Sequence, residues 1–533
     1  MSITDLPLEL LAGICEHLQP QEWGALRISC RKIYDNTLEA YATRYFKKIT
    51  LLLTREGLDR LEHVAASESL RGSVEEIWII PNLFDHWANL GKASFTKVDN
   101  RKYLLTLGRH PTTEEHNEVQ AELEALFAVY EATMAEHRAI VESPGLLDRL
   151  EKCLPRLENA VALGLRSYET RFLLNTARNT DFTCLGLREL KSHFNFKNCP
   201  MFHQSVSFMP YSLVFSQLLN AIIKSGRKVQ ALHTCSHSFC GMKLKLFQLP
   251  ESQYQSLLPL LKDLKTLHMC IRLKDHGREN FDEDTLKRLL NIMVTTAPTL
   301  KTLHFAQWSP IEEISPLFFK HVSQRIQFTQ LEELHLHSIE VTVSSLEEFL
   351  RTAAPTLKRL SLRLVSLVDS ITSAPDLGPL TPNSDSWVTS MSTEVKTEMQ
   401  GLWKRVFEFW ADHLKPQYVE LSVLGYRGRS ITLHDNLYLE RGQQDAQSFS
   451  GVNPSNFHFD AEKANIPFKE WAKQLQIEMV HRPSFGGPYG VYVGGPKLPG
   501  TSKIHLRDPG QDFSGQATMV CVDPSRMSRT SSG

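Results

Sequence analysis

The sequence predicts an α/β chain, with a short helical region at its N-terminus and a long body in which strands and helices alternate. Three observations predict it. The first fifty residues carry apolar positions at helical spacing, a strand phrase of the form L-x-x-L-x-L recurs through the body, and the stretches between its copies have the length and stripe of helices.

Leu6 to Tyr34 reads LPLELLAGICEHLQPQEWGALRISCRKIY. Pro7 falls at a first helical turn, where a missing N–H costs nothing. Leu8, Leu10, Leu11, Ile14, Cys15 and Leu18 then occupy an arc of about 160° at about 100° per residue. That arc is wider than one small neighbour covers. Pro20 ends the helix and opens a second with Trp23, Ala25, Leu26 and Ile28. A third follows, with Tyr34, Leu38, Tyr41 and Tyr45 in a helical stripe beside Ala42 and Phe46. Three helices in so short a stretch bury little of their own apolar surface, so part of it is expected to belong to a partner.

This stretch resembles the F-box, whose usual pattern opens with Leu-Pro and carries Glu-Leu-Leu, an Ile and a Leu on the first helix. The pattern then runs through Leu-x-x-Leu-Arg-x-x-Cys-Arg. Here those residues are Leu6-Pro7, Glu9-Leu10-Leu11, Ile14, Leu18, Trp23, Leu26-Arg27, Cys30-Arg31 and Tyr34. Two departures stand out: Glu22-Trp23 replaces the commoner Asp-Leu, and Gly24 weakens the second helix by roughly 1 kcal/mol relative to Ala. The resemblance implies an F-box domain over 1–50 that binds a Skp-type adaptor and, through it, a cullin-RING ubiquitin ligase. The candidate partner-facing residues are Leu6, Pro7, Glu9, Leu10, Ile14, Leu18, Trp23, Leu26, Ile28, Arg31 and Tyr34.

Composition narrows the classes further. Hydrophobic content of 42% and charged content of 22% describe a globular chain. Net charge of -1 gives no global field toward nucleic acid or an anionic membrane, so neither is expected as a partner. The N-terminus lacks a basic region ahead of an apolar core, and no run of eighteen apolar residues occurs; the expected place is the cytoplasm, the nucleus or both. Nine cysteines, an odd number without repeated spacing, predict free thiols.

After the helices, ITLLL from Ile49 reads as a strand and Arg55–Ala66 as a helix. SVEEIWIIP then places Val74, Ile77 and Ile79 at L-x-x-L-x-L spacing. The phrase returns as LKTLHM from Leu264, LKTLHF from Leu300, LEELHL from Leu331 and LKRLSL from Leu357, at steps of 36, 31 and 26 residues that suit a strand plus a helix. TTAPTLKTLHF from Thr295 and TAAPTLKRLSL from Thr352 are one phrase used twice. Weaker copies are VQAL at 229–232, LREL at 187–190 and VELSV at 419–423. In the unit from Leu331, Ser344 with Glu347 or Ser345 with Glu348 forms the expected capping box, and Pro355 closes the helix. The usual Asn is missing and the spacing is uneven, so the body over 51–425 resembles an irregular leucine-rich-repeat-like solenoid.

Within it, 113–142 is expected to be a helical insertion whose many glutamates form a solvated face. The Ser-, Thr- and Pro-rich stretch at 370–393, with Thr381-Pro382 as a candidate phosphorylation site, is expected to be a flexible linker, followed by a helix over 394–413. The segment 426–533 is expected to be largely irregular after 482, with a disordered tail.

Candidate chemistry is sparse. In HTCSHSFC, His233, Cys235, His237 and Cys240 are zinc-ligand types, but zinc sites usually gather ligands from two separate turns, and a strand end is expected instead. GGPYGVYVGGPK lacks the order that cradles phosphate. No nucleophile elbow or metalloprotease pair occurs, so no cofactor and no catalysis are expected. The arrangement is similar to that of many F-box proteins of filamentous fungi. Its expected role is that of the substrate-recognition adaptor of an SCF-type (Skp-cullin-F-box) ubiquitin ligase, holding an unidentified protein substrate on the body. The alternative is an F-box scaffold acting outside ubiquitin transfer.

Overall fold

A computed structural model describes residues 3–18, 20–81, 112–166, 183–189, 209–234, 242–243, 247, 249–272, 283–307, 314–368, 393–422, 424–426, 429–435 and 456–479. The chain divides into two units. The first, 1–373 and 398–478, holds the N-terminal helices and nearly all the strand residues. Of the second, 374–397 and 479–533, only the start of the helix Thr393–His413 and Met479 are described. The expected linker near 370–393 and the expected disordered tail fall almost wholly outside the described residues.

The N-terminal helices are α1 (Leu8–Glu16), α2 (Pro20–Ser29) and α3 (Arg31–Tyr45). The body follows as a mixed α/β structure. Its strands are β1 (Lys48–Leu52), β2 (Glu76–Ile80), β3 (Ala162–Leu165), β4 (Thr183–Leu185), β5 (Ala231–His233), β6 (Met242–Lys243), β7 (Thr266–Arg272), β8 (Thr302–Gln307) and β9 (Glu333–His337). They continue with β10 (Glu340–Thr342), β11 (Arg359–Arg363), β12 (Ser366–Val368), β13 (Tyr418–Ser422), β14 (Leu424–Tyr426), β15 (Arg429–Asp435), β16 (Asn456–Asp460) and β17 (Leu475–Met479).

In the larger sheet β1, β2, β3, β5, β7, β8, β9, β11 and β13 lie side by side in chain order, and each pairs in parallel with the next. Parallel neighbours need a crossover, and helices supply it: Arg55–Ala66, Thr113–Glu142, Met209–Ser225, Glu251–Leu261, Glu283–Thr296, Ile314–Arg325, Val343–Ala353 and Thr393–His413. β4 pairs outside β1, and β16 closes the far edge antiparallel to β13.

Register explains why one phrase recurs. Leu267, Leu303, Leu334, Leu360 and Val419 stand opposite one another, all buried, so each copy stacks its leucine on the last. Backbone bonds repeat with the same period: Lys301 N–H donates to Lys265 O, Glu332 to Lys301, Lys358 to Glu332 and Gln417 to Lys358. The duplicated Pro-Thr-Leu-Lys has its reason here. The Thr299 hydroxyl donates to Leu264 O at 2.9 Å and the Thr356 hydroxyl to Leu331 O at 2.8 Å, each tying one turn to the one before.

A second sheet, in the order β10-β12-β14-β15-β17, was not foreseen in the sequence. Its strands β10 and β12 follow β9 and β11 after a corner. Ser338 (φ 53°) and Leu364 (φ 55°) make those corners in the left-handed region, held by Ser338 N–H to Arg363 O and Leu364 N–H to Ser422 O, both 2.9 Å.

Two local expectations are corrected, and one cap was not foreseen. The cap of Val343–Ala353 is Thr342, whose hydroxyl accepts from Ser345 N–H; Ser344 and Ser345 already lie inside the helix. LREL is no strand: 187–189 are helical, and the neighbouring strand is β4. A capping box does occur, at Thr112 and Glu115, where it starts the thirty-residue helix Thr113–Glu142.

Candidate partner-binding surface

The apolar arc of α1 is divided between two uses. Leu11 and Cys15, in its middle, are buried, and Leu18 packs against the same cluster of Cys15, Trp23 and Tyr45. On its margins Leu8, Leu10 and Ile14 remain 53%, 59% and 42% exposed. Only the middle of the arc packs into the cluster formed with α2 and α3, so its flanks stay open. At the junction of α2 and α3, Ile28 is 84% and Tyr34 43% exposed.

The remaining sequence-derived candidates fall as follows. Pro7, Glu9 and Arg31 are exposed, while Leu6, Leu18 and Leu26 are half-buried. Trp23 differs from expectation: at 1% exposed it faces inward, edge-on to the rings of Tyr41 and Tyr45 at 5.5 Å each. A side chain of that size in so small a bundle is its central post, not a contact for another protein. Trp23→Ala is therefore expected to cost about 3–5 kcal/mol of local stability. Hydrogen exchange should report the loss over α1–α3 while the body's amides keep their protection.

Arg27, named in the sequence motif but not among the partner-facing residues, is the buried cation of this region. It is 7% exposed and sits with its guanidinium carbon 4.0 Å from the centroid of Tyr41 and 4.3 Å from that of Tyr34. Arg44 lies on the other side, 5.8 Å from the Trp23 ring, and donates to Glu16 O at 2.7 Å, which fastens α3 to the end of α1. Tyr45 O in turn accepts from the Thr183 hydroxyl of β4 at 2.6 Å, joining the helices to the sheet edge.

A second surface lies on one face of the large sheet. Trp78, Gly164, His233, His268, His304, His335, Ser361 and Glu420 stand in register on adjacent strands. His233 and His268 stack at 3.8 Å with planes 8° apart, and His304 and His335 continue the row at 5.1 and 5.6 Å. Trp78 meets His233 at 4.3 Å across Gly164. Burial, aided by neighbouring positive charge, holds His233 and His304 well below the usual imidazole range and lowers His268 to about 4. All four rings are half-buried and form a continuous row along this face. The sequence carried this signal, because a His directly follows the buried strand leucine in ALH, LKTLHM, LKTLHF and LEELHL.

His233 is thus spoken for by ring stacking, while Cys235, His237 and Cys240 lie outside the described residues. Among the described residues no group of three His, Cys, Asp or Glu is placed to hold a metal ion. The groove between Arg55–Ala66 and β4 is open, and its charges are already engaged: Arg60 pairs with Glu56 at 2.6 Å, and Glu56 and Glu189 each accept the other's backbone N–H at 2.6 and 2.8 Å. No helix among the described residues is long and apolar enough to cross a membrane.

Comparison with known proteins places the chain in no family: no family model matches it, and no curated protein does.

Proposed function

We propose that this chain is the substrate-recognition adaptor of an SCF-type ubiquitin ligase. In this reading α1–α3 act as an F-box that binds a Skp-type adaptor, and the body is an irregular leucine-rich-repeat-like solenoid that binds a protein substrate. One observation carries it. Of the eight large apolar side chains exposed among the described residues, six lie within the first 34 positions: Ile3, Leu8, Leu10, Ile14, Ile28 and Tyr34. Burying such a side chain against a partner is worth about 1.5–3 kcal/mol, so the concentration marks a docking surface. Chain-order parallel pairing of the phrase copies supports the solenoid reading.

The chain performs no bond chemistry in this role. It raises the effective concentration of substrate lysines beside a ubiquitin-loaded enzyme by holding both on one frame. The test is co-purification of the full chain with a Skp-type adaptor. Leu10→Asp and Ile28→Asp are expected to abolish recovery without lowering thermal stability, because both side chains already face solvent. Equal recovery of wild type and both variants would overturn the proposal. Cullin in the same pull-down separates a ligase subunit from a scaffold working outside ubiquitin transfer.

A further inference from the structure

Arg27 presents an imbalance that the chain itself does not resolve. Its Nε is enclosed and meets no hydrogen-bond acceptor, and no ion pair among the described residues uses Arg27. Burying a guanidinium without a counter-charge is costly. The two tyrosine rings offset part of that cost, at about 0.5–2 kcal/mol for each such contact, and leave the positive charge in place. Of the three guanidinium nitrogens only Nε is enclosed, so the others remain within reach from outside.

The surroundings point the same way. Ile28, next in the chain, is the most exposed large apolar side chain of the described residues. Arg31 and Lys32 are exposed and also take part in no ion pair. An apolar anchor is therefore flanked by three cations without anions, while Tyr34 and Tyr41 fix the position of one of them.

We propose that this corner of α2 and α3 is an anion-reading subsite. An acidic segment of the adaptor covers Ile28 with an apolar residue and delivers an Asp or Glu carboxylate to Arg27 between the tyrosines, with Arg31 and Lys32 beside it. The proposal rests on the F-box reading and adds the partner's chemistry to it. A carboxylate matches the planar guanidinium with paired hydrogen bonds, and a site already desolvated by Tyr34 and Tyr41 strengthens them.

The test measures affinity of the full chain for a Skp-type adaptor at about 0.05 M and about 0.5 M salt, around which screening of exposed charge changes several-fold in range. Arg27→Met keeps the length of the side chain and removes its charge; Arg27→Lys keeps the charge and loses the fork. Arg27→Met is expected to bind about thirtyfold more weakly at both salt concentrations, with Arg27→Lys in between, because an enclosed pair is little screened, while the exposed Arg31 and Lys32 carry the salt dependence that remains. Thermal unfolding of each variant confirms that the helices remain folded. Wild-type affinity of Arg27→Met at both salt concentrations, together with loss of binding in Ile28→Asp, would overturn the anion subsite and leave the F-box reading standing. Absence of binding by the wild type would remove both.

Discussion

Replacing Gly164 with alanine is expected to destabilise the body by about 3 kcal/mol. A Cβ at that position would lie 2.5 Å from His233 O, 2.7 Å from His233 Cβ and 2.8 Å from His233 N. These neighbours are strand backbone and its first side-chain carbon, so no rotamer change relieves the clash. β5 would have to draw away from β3, straining the pairs Ala162 with Ala231 and Leu163 with Leu232. The same step pulls His233 off Trp78. A control of opposite sign comes from α2: Gly24→Ala meets nothing within 4 Å and should add about 1 kcal/mol through helix propensity. Denaturant midpoints of the two variants should move in opposite directions, and a Gly164→Ala midpoint at the wild-type value would contradict the close approach of β3 and β5.

Stability is also expected to fall as pH drops from 7 to 5. His137, 8% exposed on the long helix, is lowered to about 4, chiefly by burial and in part by the Arg138 charge, against a backbone hydrogen bond with Pro81. His268 is lowered to about 4 by burial and by the charges of His335 and Arg166, with Glu333 opposing, while burial and neighbouring positive charge also hold His233 and His304 well below their ordinary value. Unfolded, these rings take up protons around their ordinary value of 6.5; folded, His137 and His268 stay neutral until about pH 4, and His233 and His304 are likewise held below their ordinary value. The unfolded state therefore binds more protons across that window, and acid favours it. Glu340 acts with the opposite sign. Burial raises its carboxyl to about 7, so the folded chain gains a proton there first. Four histidines outweigh one glutamate, for a net loss of stability between pH 7 and pH 5. His137→Phe should flatten the pH dependence of the unfolding midpoint and Glu340→Gln should steepen it. An unchanged midpoint in wild type across that range would rule out a neutral histidine row.

What could be read in advance depended on the range over which each feature is decided. The helix Thr113–Glu142 and the helix Arg55–Ala66 were legible at both ends, because caps and stripes are local. The leucine phrase was legible because each turn repeats the same stacking requirement. The margins of α1 were legible as an excess, since an arc of apolar residues can be counted without knowing its neighbours. The inward turn of Trp23 on α2 was not legible, because it depends on where Tyr41 and Tyr45 of α3 come to lie. Arg27 was hidden for the same reason, its burial being set by rings seven and fourteen residues away. The second sheet left no trace because β10, β12 and β14 are three residues each, too brief for a period, and neither corner residue is the glycine or asparagine that advertises a left-handed turn.

Strand order bears on how the chain is made. Because the larger sheet from β1 to β13 is laid down in chain order, each of its new strands finds the preceding member of that sheet already made, and few pairings wait on distant sequence. The exception is at the start: β1 stays open on one side until β4 arrives, and the reciprocal bonds of Glu56 and Glu189 close across 133 positions. The nascent helical region is thus complete only once β4 and Glu189 have been translated, and until then its greasy helices adjoin an unpaired strand edge, an interval in which chaperone protection matters most.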